Sequence, residues 1–141
     1  TPPPTTPPPT TPPPTTPPSA VLTVDNATSG RFRASRNWDS SRWASGKYGS
    51  AYRFRTPGFT SDTAEWKVTI TSSGRYEVFA RIPGNGYNTK APYIVHHAGG
   101  RSVINKDISR QGGKWMSLGT FTFNAKDDWI VQLSRWTNGK G

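Results

Sequence analysis

The sequence predicts an all-β fold, an antiparallel sandwich of about eight or nine strands behind a proline-rich leader. Three observations favour this class. Short runs of β-branched and aromatic residues alternate with Gly, Asn and Pro at intervals of about ten residues. No stretch shows the period of an amphipathic helix. The 17 aromatic residues outnumber the 16 Val, Ile and Leu residues, whereas helical bundles fill their cores mainly with Leu and Ala.

Residues 1–18 contain only Thr and Pro and repeat the unit TPPPT. Proline restricts φ and lacks an amide donor, so a disordered polyproline II segment is predicted, reaching roughly 55 Å if fully extended. We expect residues 1–18 to be a linker between an upstream catalytic module and a folded domain at 19–141. A ligand for SH3-like grooves is the alternative, but the flanking charges that such ligands use are absent from this segment.

Nine segments of the folded domain have the length and composition of strands. They are residues 21–25, 31–35, 51–55, 64–70, 75–82, 92–97, 101–108, 115–123 and 129–135. The last segment is followed by Asn138 and Gly139, a strong hairpin signal, and then by only two residues. We therefore expect the domain to be cut short after Gly141, without its closing strand, which would leave the last strand at an open sheet edge. The alternative is that another segment of the chain completes the sheet.

Period-two alternation separates an apolar side from a charged side in several strands. The apolar sides hold Trp66, Val68 and Ile70; Tyr76, Val78, Ala80 and Ile82; Phe32, Tyr52 and Phe54; and Trp129, Val131 and Leu133. The aromatic residues expected in the core are Trp66, Tyr76, Phe121, Phe123 and Trp129. The charged sides hold Arg31, Arg33, Arg53, Arg55, Lys67, Arg75 and Arg81, and we expect these to merge into one basic sheet face.

The formal net charge is +10, and arginine supplies 11 of the 18 positive side chains. Because the planar guanidinium suits carboxylates, sulfates and phosphates, a polyanionic partner is favoured. A merely solubilising basic surface is the alternative. Nucleic acid is disfavoured, since no RRM, OB, KH or zinc-finger signature is present. A membrane partner is not expected either, because no apolar run approaches the roughly 20 residues of a membrane helix.

Catalytic motifs are missing from the sequence. There is no cysteine, and the two histidines, His96 and His97, are adjacent, so on a strand they point to opposite faces and cannot share one metal ion. The carboxylates fall in turns or on arginine-bearing sides, and neither a G-x-S-x-G elbow nor an EF-hand loop occurs. We expect no enzyme activity, no cofactor and no metal. Hydrolysis that depends on His97 is the least favoured alternative.

Six motifs occur in order along the chain: VDNA at 24–27, YGSAYRF at 48–54, AEW at 64–66, GRYEVFA at 74–80, APYIVHHAGG at 91–100 and GKWMSLGTFTF at 113–123. Together they resemble the golvesin C-terminal-like domain, which is similar to the carbohydrate-binding domain of xanthan lyases. The resemblance implies a jelly-roll-like sandwich attached to secreted bacterial hydrolases, lyases or peptidases, and hence an extracellular polysaccharide-binding role. Family members usually finish with a strand of the form V-x-A-D-A-V-x-F, which this chain lacks.

The candidate ligand residues follow from the chemistry of sugar recognition, in which aromatic rings stack on the apolar face of a pyranose and polar side chains bind its substituents. We expect Trp43, Tyr87 and Trp136 to be the platforms, with Arg42, Asn88 and Lys90 as polar partners and Arg53 and Arg55 as contributions from the basic face. The predicted function is a non-catalytic module that directs its enzyme to an acidic polysaccharide or cell-wall polymer. The alternative is a structural domain that docks on its own enzyme or assembles by strand addition.

Overall fold

The computed structural model describes residues 2–7, 21–84 and 88–137. Within these ranges it contains nine strands and no helix. The strands are β1 (Phe32–Arg33), β2 (Asp39–Ser41), β3 (Tyr52–Phe54), β4 (Thr63–Ile70), β5 (Gly74–Arg81), β6 (Ala91–His97), β7 (Gly100–Lys106), β8 (Trp115–Phe123) and β9 (Lys126–Ser134). The predicted all-β class is confirmed. Residues 2–7 are exposed and have no regular secondary structure, and the linker function of residues 1–18 stays a prediction.

Two sequence predictions about individual strands were wrong. Residues 21–25 form no strand, because they pair with no strand among the described residues; a turn follows them, in which the amide of Thr28 donates to the carbonyl of Asp25 at 2.9 Å. Strand β2 was not predicted, since its residues Asp39, Ser40 and Ser41 have low strand propensity. It forms by pairing with β3, where Arg53 lies opposite Ser40.

The strands form one large antiparallel sheet and two pairs. The large sheet has the order β1-β4-β9-β6-β7, and the pairs are β2-β3 and β5-β8. The hydrophobic core contains side chains from the large sheet and from β8: Ile70, Ala91, Tyr93, Val95, Met116, Leu118, Phe123 and Ile130. The β5-β8 pair therefore covers one face of the large sheet, which we call the inner face. Tyr76, Val78 and Ala80 of β5 pack against this core as predicted.

A β-bulge in β9 changes which side chains enter the core. Trp66 is the register partner of Val131 and Lys67 is the partner of Trp129, so Ile130 is an extra residue in β9. Ile130 is 2% exposed in the core, while Trp129 lies opposite Lys67 on the outer face of the large sheet. The prediction of Trp129 as a core residue was wrong, because simple alternation does not hold across a bulge.

Strand β9 also lies inside the large sheet, between β4 and β6. The expected open edge at the last strand was therefore wrong, whereas the alternative that another segment completes the sheet is what the structure shows: β4 and β6 flank β9, and β1 and β7 are the edge strands of this sheet within the described residues. Two further residues that were predicted to lie in the core have other positions in the structure. Trp66 packs at the β1 edge, with its ring centroid 5.3 Å from that of Phe32, and Phe54 is 47% exposed instead of buried.

Candidate functional site

Several loops meet at one end of the sandwich, which we call the loop end. Antiparallel pairing brings the start of one strand to the end of its partner, so Arg81 lies opposite Trp115 and Ala91 opposite Lys106. The loops at this end are residues 42–51, 55–62, 82–84 with 88–90, 107–114 and 135–137. The opposite end carries the short connections 71–73, 98–99 and 124–125.

Backbone hydrogen bonds tie these loops to one another. The amide of Gly113 donates to the carbonyl of Ile82 at 2.9 Å, and that of Ile108 donates to the carbonyl of Asn88 at 3.0 Å. In the 55–62 loop, the amide of Gly58 donates to the carbonyl of Arg135 at 2.9 Å. The loop end is therefore a set of mutually supported segments, which fixes the positions of the side chains that it exposes.

Glycine allows the 42–51 loop to pack closely on its neighbours. Gly46 has a φ of 74°, and a Cβ added there would lie 2.6 Å from the carbonyl oxygen of Pro83 and 3.1 Å from the Cα of Gly113. No side chain fits this contact, and the left-handed φ is one that L residues rarely adopt. Residues 82–84 also lie close to the 42–51 loop, since a Cβ on Gly84 would be 3.9 Å from the Cβ of Ala44.

The three most exposed aromatic side chains among the described residues project from the loop end into solvent. Trp43 is 90% exposed, Phe59 is 82% exposed and Trp136 is 64% exposed. We call these three the loop aromatics. Trp136 forms a backbone bridge with Gly58, the neighbour of Phe59 in the chain, so two of the three arise from adjacent segments. Single exposed apolar residues are common, but several exposed aromatic rings at one end of a domain make that end a candidate interaction surface.

The sequence prediction of the platform residues included two of the loop aromatics. Trp43 and Trp136 lie at the same end of the domain and are exposed. Tyr87 falls outside the described residues. Phe59 was not predicted as a site residue, although the Pro57-Gly58 turn in front of it was a signal that could have found it.

The three predicted polar partners have different environments. Arg42 and Lys90 are exposed, and the carbonyl of Lys90 accepts a hydrogen bond from Thr137 Oγ1 at 3.2 Å, close to Trp136. Asn88 is only 7% exposed, and its Oδ1 accepts the amide of Lys90 at 2.8 Å. An asparagine used in this way shapes a turn. Its placement therefore suits a role in holding Lys90 better than direct ligand contact.

Arg53 and Arg55 are engaged with the protein itself. Arg55 forms an ion pair with Asp62 at 3.1 Å and donates to the carbonyl of Asn37 at 3.2 Å. Arg53 donates to the carbonyl of Trp38 at 3.4 Å. Both side chains stabilise the β2-β3 region. They are therefore less suited to a ligand than Arg42 and Lys90, which are exposed at the loop end and form no ion pair among the described residues.

The predicted single basic sheet face was wrong. Arg31 and Lys67 pair with Asp127, and Arg33 pairs with Glu65, all on the outer face of the large sheet. Arg75 and Arg81 lie on the outward side of the β5-β8 pair, across the core from that face. Alternation assigns a side within one strand, but it does not tell which sheet the strand joins or which acids lie beside it.

The Asp107 carboxyl near the loop end has a structural role. The pKa of the Asp107 carboxyl is held below its usual value, mainly because Ser109 Oγ donates to it at 2.6 Å and the Ser109 amide at 2.9 Å, with Arg110 adding a smaller charge effect. An acid of this kind stays ionised at neutral pH and is poorly suited to proton transfer.

Both histidines lie toward the opposite end of the domain. His96 Nε2 hydrogen-bonds Gln132 at 2.9 Å, and His97 Nε2 hydrogen-bonds Ser102 at 2.8 Å while its ring stacks on Phe121. Among the described residues, no three His, Cys, Asp or Glu side chains are grouped so that they could hold a metal ion. The part of the chain that the structure describes also has no helix of the length and apolarity needed to cross a membrane.

Comparisons with known proteins agree on a family. A model of the Golvesin C-terminal domain matches residues 22–141. The xanthan lyase of Bacillus sp. (strain GL1) is 28% identical over 106 residues, which cover 74% of this chain and 11% of that protein. The 2.6 Å structure of Paenibacillus xanthan lyase aligns with a TM-score of 0.73 and 26% identity over 84% of this chain and 12% of that one. This chain thus corresponds to a small region of a larger enzyme in both relatives.

Proposed function

Because the chain belongs to the Golvesin C-terminal domain family, we propose that it is a non-catalytic module that binds an anionic polysaccharide and holds an accompanying secreted enzyme close to it. A tethered binding module raises the local concentration of substrate sites for its enzyme without any change in the catalytic centre. The enzyme is a hydrolase or lyase joined through the Thr/Pro segment, and the setting is extracellular.

The observation that carries this proposal is the group of loop aromatics, Trp43, Phe59 and Trp136, exposed at one end of a supported set of loops. Aromatic rings present flat apolar faces, which complement the C–H face of a pyranose ring. The two relatives are named as xanthan lyases, and the shared region is a small part of each. The exposed rings and the similarity to a region of two xanthan lyases both support a polysaccharide as the ligand of this chain.

Charge supports an anionic polymer over a neutral one. The chain carries a net charge of +10, and Arg42 and Lys90 are exposed beside the loop aromatics. Exposed charges interact over a Debye length of about 30 Å at 0.01 M salt and about 8 Å at 0.15 M. Binding should therefore weaken as salt is added, while the contribution of ring stacking remains.

Affinity electrophoresis in gels that contain xanthan or a neutral glucan tests this function. We expect the chain to be retarded by xanthan at low salt, and Trp43→Ala and Trp136→Ala to reduce the retardation. Phe54→Ala is the matched control, because Phe54 is a 47% exposed aromatic residue on β3 and not a loop aromatic. Absence of retardation by any anionic polysaccharide would overturn the proposal, and retention on the parent enzyme instead would favour a structural domain.

A further inference from the structure

We propose that the outward side of the β5-β8 pair carries a second binding surface, the hairpin strip, formed by Tyr48, Phe79, Arg81 and Trp115, which binds a carboxylate-bearing sugar unit. The ligand class rests on the proposed function, but the hairpin strip shares no residue with the loop aromatics. None of its four residues is among the candidate ligand residues chosen from the sequence, although Arg81 was assigned to the predicted basic face.

The strand register places the strip residues side by side. Arg81 is the partner of Trp115, and Phe79 is the partner of Ser117. Phe79 and Trp115 are therefore diagonal neighbours on the same side, a relation with a Cα separation of about 7–8 Å that is within reach of aromatic side chains. Tyr48 extends the row from the 42–51 loop, with its ring centroid 5.6 Å from that of Trp115 in an edge-on arrangement.

All three rings keep nearly half of their surface in solvent. Tyr48 is 44% exposed, Phe79 is 46% exposed and Trp115 is 48% exposed. Each ring is thus packed well enough to be held in place and open enough to be stacked upon. Neighbouring half-exposed rings beside polar residues are typical of an interaction surface, in contrast to isolated exposed side chains.

Arg81 is held in position beside these rings. Its Nε and Nη2 both donate to the carbonyl of Gly46, at 3.3 and 3.2 Å, and its guanidinium carbon lies 5.7 Å from the Trp115 ring centroid. The Gly46 carbonyl is itself fixed by the close packing of Gly46 on Pro83. A side chain ordered before binding loses less conformational entropy when the ligand arrives, so each bond to the ligand contributes more.

The charge on this side of the pair suits an acidic unit. Arg75 and Lys114 are exposed, and no ion pair is found for Arg75, Arg81 or Lys114 among the residues that the structure describes. The one acid on this side of β5, Glu77, accepts a hydrogen bond from Ser117 Oγ at 2.9 Å. The Arg81 guanidinium, which forms no ion pair among the described residues, has N–H groups beyond the two that Gly46 accepts. These can give charge-assisted hydrogen bonds to a carboxylate, whereas a neutral sugar would use the rings alone.

Calorimetric titration with xanthan and with carboxyl-reduced xanthan tests the hairpin strip, because reduction removes the carboxylate charge and keeps the backbone. We expect Arg81→Gln to weaken binding to xanthan about tenfold and to leave binding to the reduced polymer almost unchanged. Arg81→Lys should restore only part of the loss, since it keeps the charge without the fork. Trp115→Ala and Phe79→Ala should weaken binding to both polymers about three- to tenfold.

Two matched controls separate a site from general attraction. Arg75→Gln removes the same charge from the same side of β5, about 20 Å away along the strand. Phe54→Ala removes a ring of equal exposure elsewhere. If Arg75→Gln weakens binding as much as Arg81→Gln, or if Trp115→Ala matches the wild type, the hairpin strip is refuted. The loop variants Trp43→Ala and Trp136→Ala then show whether the proposed function still stands, and a wild-type chain that binds neither polymer refutes both.

Discussion

The guanidinium of Arg33 lies 4.1 Å from the centre of the Trp129 ring on the outer face of the large sheet. Trp129 reaches this face because the bulge at Ile130 shifts the register of β9 against β4. The same bulge places Ile130 in the core at 2% exposure. One inserted residue thus exchanges an aromatic for an aliphatic side chain in the packing of the domain.

The bulge predicts an order of stability effects for two neighbouring residues. Ile130→Ala removes buried aliphatic volume and should lower the free energy of unfolding by about 2–5 kcal/mol. Trp129→Ala removes a half-buried ring and its contact with Arg33, and should cost about 1–2 kcal/mol. Urea denaturation measures both values. The reverse order would contradict the assignment of Trp129 to the outer face.

Gly46 is predicted to be required for the position of the 42–51 loop. Gly46→Ala should cost about 1–3 kcal/mol, because it combines a left-handed φ with a clash against Pro83. Gly30→Ala is the matched control: its φ is 70°, but a Cβ there meets nothing within 4 Å. Thermal unfolding of both variants should give a larger loss for Gly46→Ala. Equal losses would show that the close contact with Pro83 has no energetic role.

The Asp127 carboxyl is expected to contribute to stability in a pH-dependent way. Its pKa lies below its usual value, mainly through the hydrogen bond from Arg31, then through the bond from Thr69 Oγ1 at 2.9 Å, with smaller effects of nearby charges. Folding therefore favours the ionised form, so this contribution is present above the unfolded pKa of about 3.9 and is lost as pH falls further. Asp127→Asn should flatten the acid limb of the stability curve. An unchanged acid limb would exclude Asp127 as a source of this pH dependence.

The buried hydroxyl of Tyr93 should make the stability of the domain depend on pH in the alkaline range. Burial raises the pKa of the Tyr93 hydroxyl above its ordinary value of about 10. The folded state then keeps a proton that the unfolded state releases, so stability is unaffected at neutral pH and falls as pH rises above about 10. Tyr93→Phe should lessen the alkaline loss of stability relative to the wild type. A pH titration of the folded protein, monitored by ultraviolet absorbance, in which every tyrosine ionises near pH 10 would contradict this.

Local patterns in the sequence were sufficient for the strands with strong alternation. In β5, the inward positions of Tyr76, Val78 and Ala80 follow directly from period two. The sequence prediction failed where the position of a side chain depends on how two strands pair across the sheet. The bulge at Ile130 depends on how β9 meets β4, and no feature within β9 itself indicates it.

The candidate site was predicted only in part for a similar reason. Trp43 and Trp136 are recognisable as aromatic residues next to turns, and they are exposed at the same end. The row formed by Tyr48, Phe79 and Trp115 joins a loop to two strands that are far apart in the chain, so it appears only once the register of β5 and β8 is known. The acid that neutralises Arg33, Glu65, likewise comes from a distant segment.

The most direct test of the account is an amide chemical-shift titration of the isotopically labelled chain with xanthan oligosaccharides at low salt. Polysaccharide binding by these surfaces should give shifts concentrated at the loop end and the hairpin strip, at residues 42–49, 58–60, 79–82, 113–116 and 135–137. Shifts confined to the opposite end, around His97 and Phe121, or the absence of any saturable shift, would contradict polysaccharide binding by these surfaces.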